Sequence, residues 1–361
     1  MSRFFTYTEN MTNRPRRKIA FLGVDHPHGS AWRKLLDGFV EQVEISAIMA
    51  GLDGGLASLE EKYAAVPRFA DIETLLSDGE FEGAIVCLSN RESPSVIRRL
   101  INSGKHVLVE KPGAGTASEL SSLVAACEER AIAFQSGYMW RYDDIANRLK
   151  TMVADGQFGK LVHIDMKFVT VDVQRRDPNH YLFDAEQSKR GFFNWLACHH
   201  VDLLSFITDR ELVAVTAKLG RFGETDTPLD DGGTAIFELE GNVLATFTGG
   251  YWLPRWDGVS QWSLYGSKRW VHWYPTFPDT SGRLEIHGPK PHWFAMDDTY
   301  DSPPDSTPGY GGSRGMALVD DWLDSFQTGV PCRNSPESLV KTLHWMDAVY
   351  QASDNGQRVS F

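Results

Sequence analysis

The sequence predicts an α/β protein in two parts: an N-terminal doubly wound parallel sheet, and a C-terminal α+β domain with an open, mostly antiparallel sheet. Up to about Tyr142, short apolar runs that do not alternate with polar residues are separated by helical patterns. Such runs are typical of parallel strands that are buried on both faces and joined by helices. Beyond Tyr142, several strand patterns follow one another without helices between them, which predicts antiparallel pairing.

The elements of the first part follow in order. Residues 18–24 (KIAFLGV) form the first strand, and Leu35 and Leu36 belong to a helix because apolar residues recur there at helical spacing. Asp71 opens a short helix as its N-cap, and Pro94 suits the first turn of another. The other strands are expected at 43–50, 83–88, 106–109 and 133–136, and the helices at 30–40, 56–63, 71–77, 94–102 and 118–130.

The second part contains mostly strands. Residues 161–171 form a long strand, and residues 232–248 form a hairpin that turns at Glu240-Gly241-Asn242. Further strands are expected at 261–265 and 269–273. One helix, at 194–208, interrupts the strands, and two amphipathic helices at 318–328 and 338–355 close the chain.

Length and these changes of pattern suggest the domain boundaries. The chain of 361 residues is long enough for two domains, each with its own core. We expect a loosely ordered leader at 1–16, a first domain at 17–142 and a second domain at 143–361, whose C-terminal helices pack back on the first.

Composition and charge exclude several classes of protein. The net charge of −12 disfavours a nucleic-acid or anionic-membrane partner. No apolar run approaches the ~20 residues that span a bilayer, and residues 1–13 lack the apolar core of a secretory signal. The four cysteines are far apart in the sequence, which argues against a zinc site or a disulfide framework and fits a reducing cytoplasm.

The first strand–helix turn, residues 23–30 (GVDHPHGS), is where a dinucleotide pyrophosphate would rest on a helix N-terminus. Of the glycines in the fingerprint G-x-G-x-x-G, only Gly23 is present, because Asp25 and His28 hold the other two places. A carboxylate there would repel the anion unless Asp25 turns inward and caps the helix amides, and His26 or His28, if protonated, could offset its charge. No third ligand accompanies the two histidines, so we expect no metal.

The end of the second strand does not decide between NAD and NADP. An acid at that place normally accepts the ribose hydroxyls of NAD. Here the place belongs to Ala50, with Asp53 a few residues on, and no arginine that could hold a 2′-phosphate follows closely.

The most informative stretch is residues 104–112 (GKHVLVEKP). It predicts a short buried strand that stops at the charged pair Glu110-Lys111, where Pro112 prevents its continuation. Ligands of parallel sheets lie at the carboxyl ends of the strands, so both charged residues are candidates for chemistry. The alternative is a surface ion pair of little energetic value.

A second candidate is the helix at 194–208. On it Trp195, His199 and Asp202 share one face, so that Asp202 could contact His199 across one turn, and His200 points about 100° away. His199 could equally be a structural histidine. The region 251–310 is rich in aromatic residues, which suits either stacking on sugar rings or packing in a core and an oligomer interface.

Together these residues resemble the glucose-fructose oxidoreductase / inositol dehydrogenase / rhizopine-catabolism (Gfo/Idh/MocA) family. The resemblance covers about residues 18–359 and rests on the segments KIAFLGV, AIVCLSNRESP, GKHVLVEKP, SGYMWRY, DGQFGKLVHI and CHHVDLL. It implies a Rossmann dinucleotide-binding domain followed by a substrate-binding and oligomerisation domain. It also implies NAD or NADP as cofactor and oxidation or reduction at a hydroxyl carbon of a sugar, glycoside or cyclitol.

The resemblance further implies roles for individual residues. Lys111 would hydrogen-bond the reacting hydroxyl and stabilise a developing alkoxide, and His199 would accept its proton. The implied cofactor-binding residues are Gly23, Asp25, His26, Pro27, His28, Ala50, Leu88, Ser89, Asn90, Glu110, Lys111 and Arg141. The candidate substrate-binding residues are Arg176, His180, Tyr181, Asn194, Trp195 and His200.

One departure from the family pattern concerns chemistry directly. Family dehydrogenases usually carry an aspartate four residues before the histidine, and Trp195 stands there in this sequence. Asn194, Asp184, Tyr181, His180 or Arg176 could replace the carboxylate, or Trp195 could stack on a sugar ring. Two alternatives to net redox therefore remain: cleavage or epimerisation of a glycoside with transient cycling of NAD, and a non-catalytic ligand-binding or regulatory protein. A homo-oligomer, a dimer or tetramer through the C-terminal sheet, is expected in each case.

Overall fold

The computed structural model describes residues 15–26, 28–52, 63–175, 180–223, 227–276, 280–288 and 297–361. Most of the expected leader, the greater part of the helix expected at 56–63, and the candidate residues Pro27 and Arg176 lie outside these ranges.

The first domain is built on a six-stranded parallel sheet in the order β3-β2-β1-β4-β5-β6. This is the strand order of a doubly wound dinucleotide-binding fold, in which strands are added on one side of β1 up to β3 and on its other side from β4 onward. The prediction of a Rossmann-like parallel sheet is therefore confirmed. The strands are β1 (Arg17–Leu22), β2 (Val43–Met49), β3 (Arg68–Phe69), β4 (Gly83–Val86), β5 (His106–Val109) and β6 (Phe134–Ser136).

The helices of this domain follow the predicted order but differ in extent. They are α1 (Gly29–Leu36), α2 (Ile72–Asp78), α3 (Ser93–Asn102) and α4 (Leu123–Glu129). Asp71 caps α2 by accepting a hydrogen bond from the amide of Thr74, as predicted. The continuous helix expected at 118–130 is wrong: a short 3₁₀ turn, Ala117–Glu119, with a capping box between Thr116 and Glu119, precedes α4.

The second domain contains a nine-stranded sheet in the order β14-β13-β12-β11-β7-β10-β9-β8-β15. Its neighbours pair antiparallel except for β7 and β10, which are parallel, so the sheet is mostly antiparallel as predicted. The strands are β7 (Leu161–Val171), β8 (Leu212–Gly220), β9 (Gly232–Leu239), β10 (Val243–Leu253), β11 (Gly258–Gly266), β12 (Trp270–Thr276), β13 (Thr280–His287), β14 (Asp297–Asp301) and β15 (Val359–Ser360).

Among the helices of the second part, α5 and α9 contact strands of this sheet, whereas α8 packs against the first domain. They are α5 (Asp144–Ala154), α6 (Ala185–Ser188), α7 (Cys198–Thr208), α8 (Ser313–Thr328) and α9 (Pro336–Asn355). Helix α8 buries Leu318, Trp322 and other apolar side chains in one cluster with Phe21 and Trp32 of the first domain. In the described part of the chain, no helix is long and apolar enough to cross a bilayer.

Candidate active site

Strand β5 ends at a buried lysine. Lys111 is 1% exposed, and its Nζ donates a hydrogen bond of 2.7 Å to the carbonyl oxygen of Trp195. The same Nζ lies 3.8 Å from the centroid of the Trp195 indole, close enough for a cation–π contact. Burial lowers the pKa of Lys111, against the opposing influence of Cys198 and Glu110. Lys111 is therefore part of the interior and not of a surface ion pair.

Glu110 is also buried, and its hydrogen bonds come from aromatic side chains. It accepts hydrogen bonds from Trp32 Nε1 at 2.7 Å and from the Tyr310 hydroxyl at 3.2 Å, and it contacts His28 Nδ1 at 3.1 Å. Tyr310 lies about 200 residues away in the sequence, on the segment before α8. No spacing or pattern in the sequence joins Tyr310 to Glu110, so its place at the site was not predicted.

The turn between β1 and α1 approaches the neighbouring strand end closely. Gly23 has a φ of +70°, and a Cβ there would overlap the backbone carbonyl of Cys87 at the end of β4. A Cβ on Gly29 would lie 2.5 Å from the carbonyl oxygen of Val24. Both positions need glycine because backbone occupies the space of a side chain.

Asp25 does not cap α1, which was one of the possibilities that the sequence left open. Its Oδ1 accepts a hydrogen bond of 2.9 Å from the Gly51 amide, and its Oδ2 one of 2.6 Å from the Leu52 amide. These amides follow the end of β2, beside the exposed Ala50. The physical reason is geometric: free amides directly after β2 lie within reach of the turn. The carboxylate therefore belongs to the end of β2.

His26 connects the glycine turn to the second domain. Its Nδ1 accepts from the backbone amide of His28 at 2.9 Å, and its Nε2 lies 2.8 Å from the hydroxyl of Tyr181. Burial, followed by the charges of His28, Lys111 and His180, lowers the pKa of His26 well below its usual value. A neutral imidazole that accepts at Nδ1 carries its proton on Nε2, so His26 donates to Tyr181. His180 itself caps the 3₁₀ turn Tyr181–Phe183, where its Nδ1 accepts from the Leu182 amide.

A π-helical turn, Phe193–Ala197, positions Asn194 and Trp195 before α7 begins. Such turns are frequent at functional sites because they redirect side chains. The indole of Trp195 lies between the two domains, with ring centroids 5.3 Å from His28, 5.8 Å from His26 and 5.8 Å from Tyr181. Asn194 is fully buried, and its Oδ1 has no hydrogen-bond partner among the described residues. Asp184, which sequence reasoning offered as a replacement carboxylate, caps α6.

His199 lies in the first turn of α7 with its Nδ1 buried and without a hydrogen-bond partner among the described residues. Burial, and then the charges of Lys111 and His200, lower its pKa well below the usual value, so the imidazole is neutral near pH 7. The predicted contact with Asp202 is replaced by others. The Asp202 carboxylate accepts two hydrogen bonds from Arg141, at 2.9 and 2.7 Å, and one of 2.8 Å from Thr342.

Several of the remaining candidate residues form hydrogen bonds with other groups of the protein. Arg141 forms the buried pair with Asp202 just described. Leu88, Ser89 and Asn90 follow β4 at the carboxyl edge of the sheet, where Asn90 Nδ2 donates to the carbonyl oxygen of Ser188. His200 accepts a hydrogen bond of 3.1 Å from Trp262 Nε1, and burial lowers its pKa to about 3.

A cavity of about 410 Å³ brings the two candidate catalytic side chains together. It lies between the domains, and Lys111, His199, His200 and His28 line it with Trp195. Three aromatic residues of the second sheet, Phe168, Trp262 and Trp273, complete its wall together with Trp256 from the loop between β10 and β11. Sequence reasoning associated this aromatic region with sugar stacking or packing, but it could not predict which rings would turn inward.

The residues present fit a nicotinamide dinucleotide. Gly23, with its φ of +70°, makes the tight turn after β1, which is the purpose of the first fingerprint glycine. Lys111, a buried cation, lines the cavity together with His199, whose buried Nδ1 has no hydrogen-bond partner among the described residues. Within the described ranges, no cluster of three or more histidine, cysteine or acidic side chains could hold a metal ion.

This fold and site define a two-domain oxidoreductase with a nicotinamide-dinucleotide domain. The model of the oxidoreductase family with an NAD-binding Rossmann fold matches residues 17–138, and that of the GFO/IDH/MocA C-terminal domain matches residues 146–272. The chain belongs to the Gfo/Idh/MocA family.

Similar proteins are distant in sequence. The chain is 22% identical over 196 residues to the myo-inositol 2-dehydrogenase of Thermotoga maritima, a match that covers 52% of this chain and 57% of that enzyme. An oxidoreductase domain protein from Kribbella flavida matches the structure with a TM-score of 0.82 at 20% identity, over 96% of this chain and 99% of the other. A levoglucosan dehydrogenase in complex with NADH matches with a TM-score of 0.81 at 15% identity, again over 96% and 99%.

Proposed function

We propose that the protein is an NAD(P)-dependent oxidoreductase that moves a hydride between nicotinamide and a hydroxyl-bearing carbon of a sugar, glycoside or cyclitol. The observation that carries this proposal is the placement of Lys111 and His199 on one cavity, at the carboxyl edge of an NAD-binding sheet. The inositol and levoglucosan dehydrogenases among the similar proteins support the substrate class.

A bound nicotinamide supplies the acceptor for the hydride. Lys111 holds the reacting hydroxyl, and its charge favours the developing alkoxide because the ammonium lies in a buried site of low polarity. His199 takes the hydroxyl proton. A neutral imidazole is required for this task, and the lowered pKa of His199 keeps it neutral well below pH 6.5. Glu110, tied to Trp32 and Tyr310, fixes the strand end that carries Lys111.

The proposal can be tested with two lysines that make similar contacts, the buried Lys111 and the half-buried Lys105. Lys105 Nζ, like Lys111 Nζ, donates a hydrogen bond of 2.7 Å to a backbone carbonyl and lies over an aromatic ring, that of Phe81, but far from the cavity. Purified Lys111→Met should lose at least about 10³-fold in kcat/KM for nicotinamide reduction with a polyol panel, because it removes charge stabilisation and positioning together. Lys105→Met should stay near wild type.

The result that would overturn the proposal is wild-type protein that binds neither nicotinamide cofactor at high concentration. Turnover that survives Lys111→Met would remove Lys111 from the mechanism. Wild type could also form product without a net change in nicotinamide absorbance, while Lys111→Met forms none. That result would identify the alternative reaction, in which NAD is reduced and reoxidised within each turnover. Cofactor binding without turnover of any alcohol would favour a ligand-binding protein.

The proposal also covers the oligomeric state of the protein and its location in the cell. We propose a homo-oligomer through the outer face of the second sheet, where Ile236 on β9 and Leu244 on β10 are 42% and 48% exposed. Light scattering should show a dimer or tetramer for wild type and a smaller species for Leu244→Lys; a wild-type monomer would contradict this. The four cysteines are buried and unpaired, which supports a reducing cytoplasm as the location.

A further inference from the structure

Lys111 is buried without a carboxylate partner. Among the described residues its ammonium forms no ion pair, and its one hydrogen bond goes to the carbonyl oxygen of Trp195. The carboxylate of the adjacent Glu110 is engaged by Trp32 and Tyr310. Burial lowers the pKa of Lys111, because a charge that leaves water is costly unless other groups compensate it. The groups that keep this lysine charged must therefore be found among its close contacts.

Trp195 contacts the ammonium in two ways. Its carbonyl oxygen accepts the hydrogen bond at 2.7 Å, and the centroid of its indole lies 3.8 Å from Lys111 Nζ. The face of a tryptophan ring attracts a cation more strongly where water is excluded. The π-helical turn fixes the backbone of Trp195, and the rings of His28, His26 and Tyr181 pack around the indole. These neighbours hold the indole beside the ammonium.

The same pair of contacts recurs at two other lysines, which allows a comparison. Lys105 Nζ donates to the carbonyl oxygen of Phe81 and lies 4.6 Å from the centroid of that ring. Lys150 Nζ makes both contacts with Phe206, at a ring distance of 4.5 Å. Both of these lysines are half-buried, and neither lines the cavity. At Lys111 the ring is an indole, the distance is shorter and burial is complete, so its ring contact should contribute most.

We propose that Trp195 is a positioning residue that holds Lys111 in its charged form at the cavity. This inference rests on the proposed function and adds the residue on which the charge of its lysine depends. A carboxylate in this place would neutralise the ammonium, whereas a carbonyl oxygen and an aromatic ring stabilise it without a net charge of their own. The positive charge of Lys111 therefore stays available to a developing alkoxide. Donors also remain for a ligand hydroxyl, because an ammonium has three and the carbonyl uses one.

NMR titration of Lys111 tests the contact directly and needs no cofactor. In protein labelled with ¹³C at lysine Cε, the signal of Lys111 is identified by its absence from Lys111→Met. Trp195→Leu removes the ring but keeps the carbonyl oxygen, and should lower the pKa of Lys111 by about 1. Trp195→Phe should recover roughly half of that decrease, because a phenyl ring attracts a cation less strongly than an indole.

Fluorinated tryptophan tests the same contact without a change in side-chain shape, and it decides the matter if Trp195→Leu does not fold. Fluorine withdraws electron density from the face of the indole, so protein grown with 5-fluorotryptophan should release the proton of Lys111 at lower pH. Lys105 and Lys150 are internal controls, because they lie over phenylalanine rings. In Trp195→Phe, fluorotryptophan should no longer change the pKa of Lys111.

The pH dependence of turnover connects the contact with the reaction. Because the proposed reaction needs the charged ammonium, kcat/KM should fall at high pH as Lys111 loses its proton. In Trp195→Leu this fall should begin at a pH that is lower by the same amount as the pKa of Lys111. Phe81→Leu removes the ring beside Lys105 and should leave the pH dependence as it is in wild type.

Two results would overturn the inference. One is a pKa of Lys111 that changes neither in Trp195→Leu nor with fluorotryptophan. The other is a lower kcat/KM in Trp195→Leu with an unchanged fall at high pH, since Trp195 would then only shape the cavity. Wild type that binds no nicotinamide cofactor overturns the proposed function instead, and the NMR titration still decides whether Trp195 holds the charge of Lys111.

Discussion

The buried pair of Arg141 and Asp202 yields the sharpest prediction on stability. Asp202 accepts two hydrogen bonds from Arg141 and one from Thr342, and the two charged side chains are 9% and 1% exposed. Although burial acts to lower it, the pKa of Arg141 is raised by the charge and hydrogen bonds of Asp202. Among the described residues, Asp202 is therefore the one carboxylate that compensates the charge of the guanidinium.

Replacing Asp202 by alanine leaves the Arg141 guanidinium buried without a counter-charge. Breaking such a pair from one side costs about 3–5 kcal/mol. Thr342 adds little to this cost, because its hydroxyl keeps a second acceptor in the carbonyl oxygen of Ser338. We therefore expect Asp202→Ala to lower the free energy of unfolding by about 3–5 kcal/mol, measured by urea denaturation followed by tryptophan fluorescence.

Two control variants test whether the loss in the free energy of unfolding comes from the unpaired charge of Arg141. The double variant Arg141→Met/Asp202→Leu removes both charges and should recover most of the loss, since apolar replacement of a buried pair is close to neutral. Lys341→Ala breaks an exposed pair with Glu211 and should cost at most about 1 kcal/mol. A loss below about 1 kcal/mol for Asp202→Ala would refute the reasoning. If the folded double variant lost its alcohol-oxidising activity, Arg141 or Asp202 would serve the site directly.

Two further predictions concern the glycine turn and the buried histidines. Gly23 and Gly104 share a φ near +70°, but a Cβ at Gly104 meets nothing within 4 Å, whereas a Cβ at Gly23 overlaps the Cys87 carbonyl. Urea denaturation should therefore show that Gly104→Ala lowers the free energy of unfolding by about 1 kcal/mol and that Gly23→Ala lowers it clearly more. Equal losses would contradict the role of the turn. Because burial holds the pKa values of His26, His199 and His200 below 6.5, the unfolded chain binds more protons than the folded one, so stability should fall as the pH drops below about 6.5. His200→Gln, whose amide oxygen can still accept from Trp262, should reduce that slope by about 1.4 kcal/mol per pH unit between pH 6 and pH 4, and an unchanged slope would contradict this assignment.

Much of the fold was predictable because its signals are local. The apolar run of β5 and the charged pair after it predicted a buried strand with functional residues at its end, and Lys111 lies there, buried. The bounds of β7 and β9 were predicted to the residue, since alternation of buried and exposed positions extends along them. Strand β8 was not predicted, because the register shift between Leu212 and Ala214 leaves two consecutive buried residues, Ala214 and Val215, and so interrupts the alternation.

The partners of individual side chains were not predictable in the same way. Helix spacing correctly placed Asp202 one turn beyond His199, but it could not show that Arg141 and Thr342, from two other elements, reach the carboxylate. The fingerprint placed Asp25 on the turn, and only the three-dimensional path of β2 revealed the amides of Gly51 and Leu52. Contacts of this kind depend on long-range packing, which a single sequence does not encode in its spacing.

The central claim is that Lys111 and His199 serve hydride transfer from a hydroxyl-bearing carbon in this cavity. The most direct measurement uses a polyol deuterated at the reacting carbon, with mass spectrometry of the recovered cofactor in wild type, Lys111→Met and His199→Asn. His344→Asn, which replaces an exposed histidine on α9, is the control. We expect deuterium on the nicotinamide ring in wild type and in the control, and no deuterium there in the other two variants. Cofactor that binds but never acquires deuterium in wild type would contradict the claim.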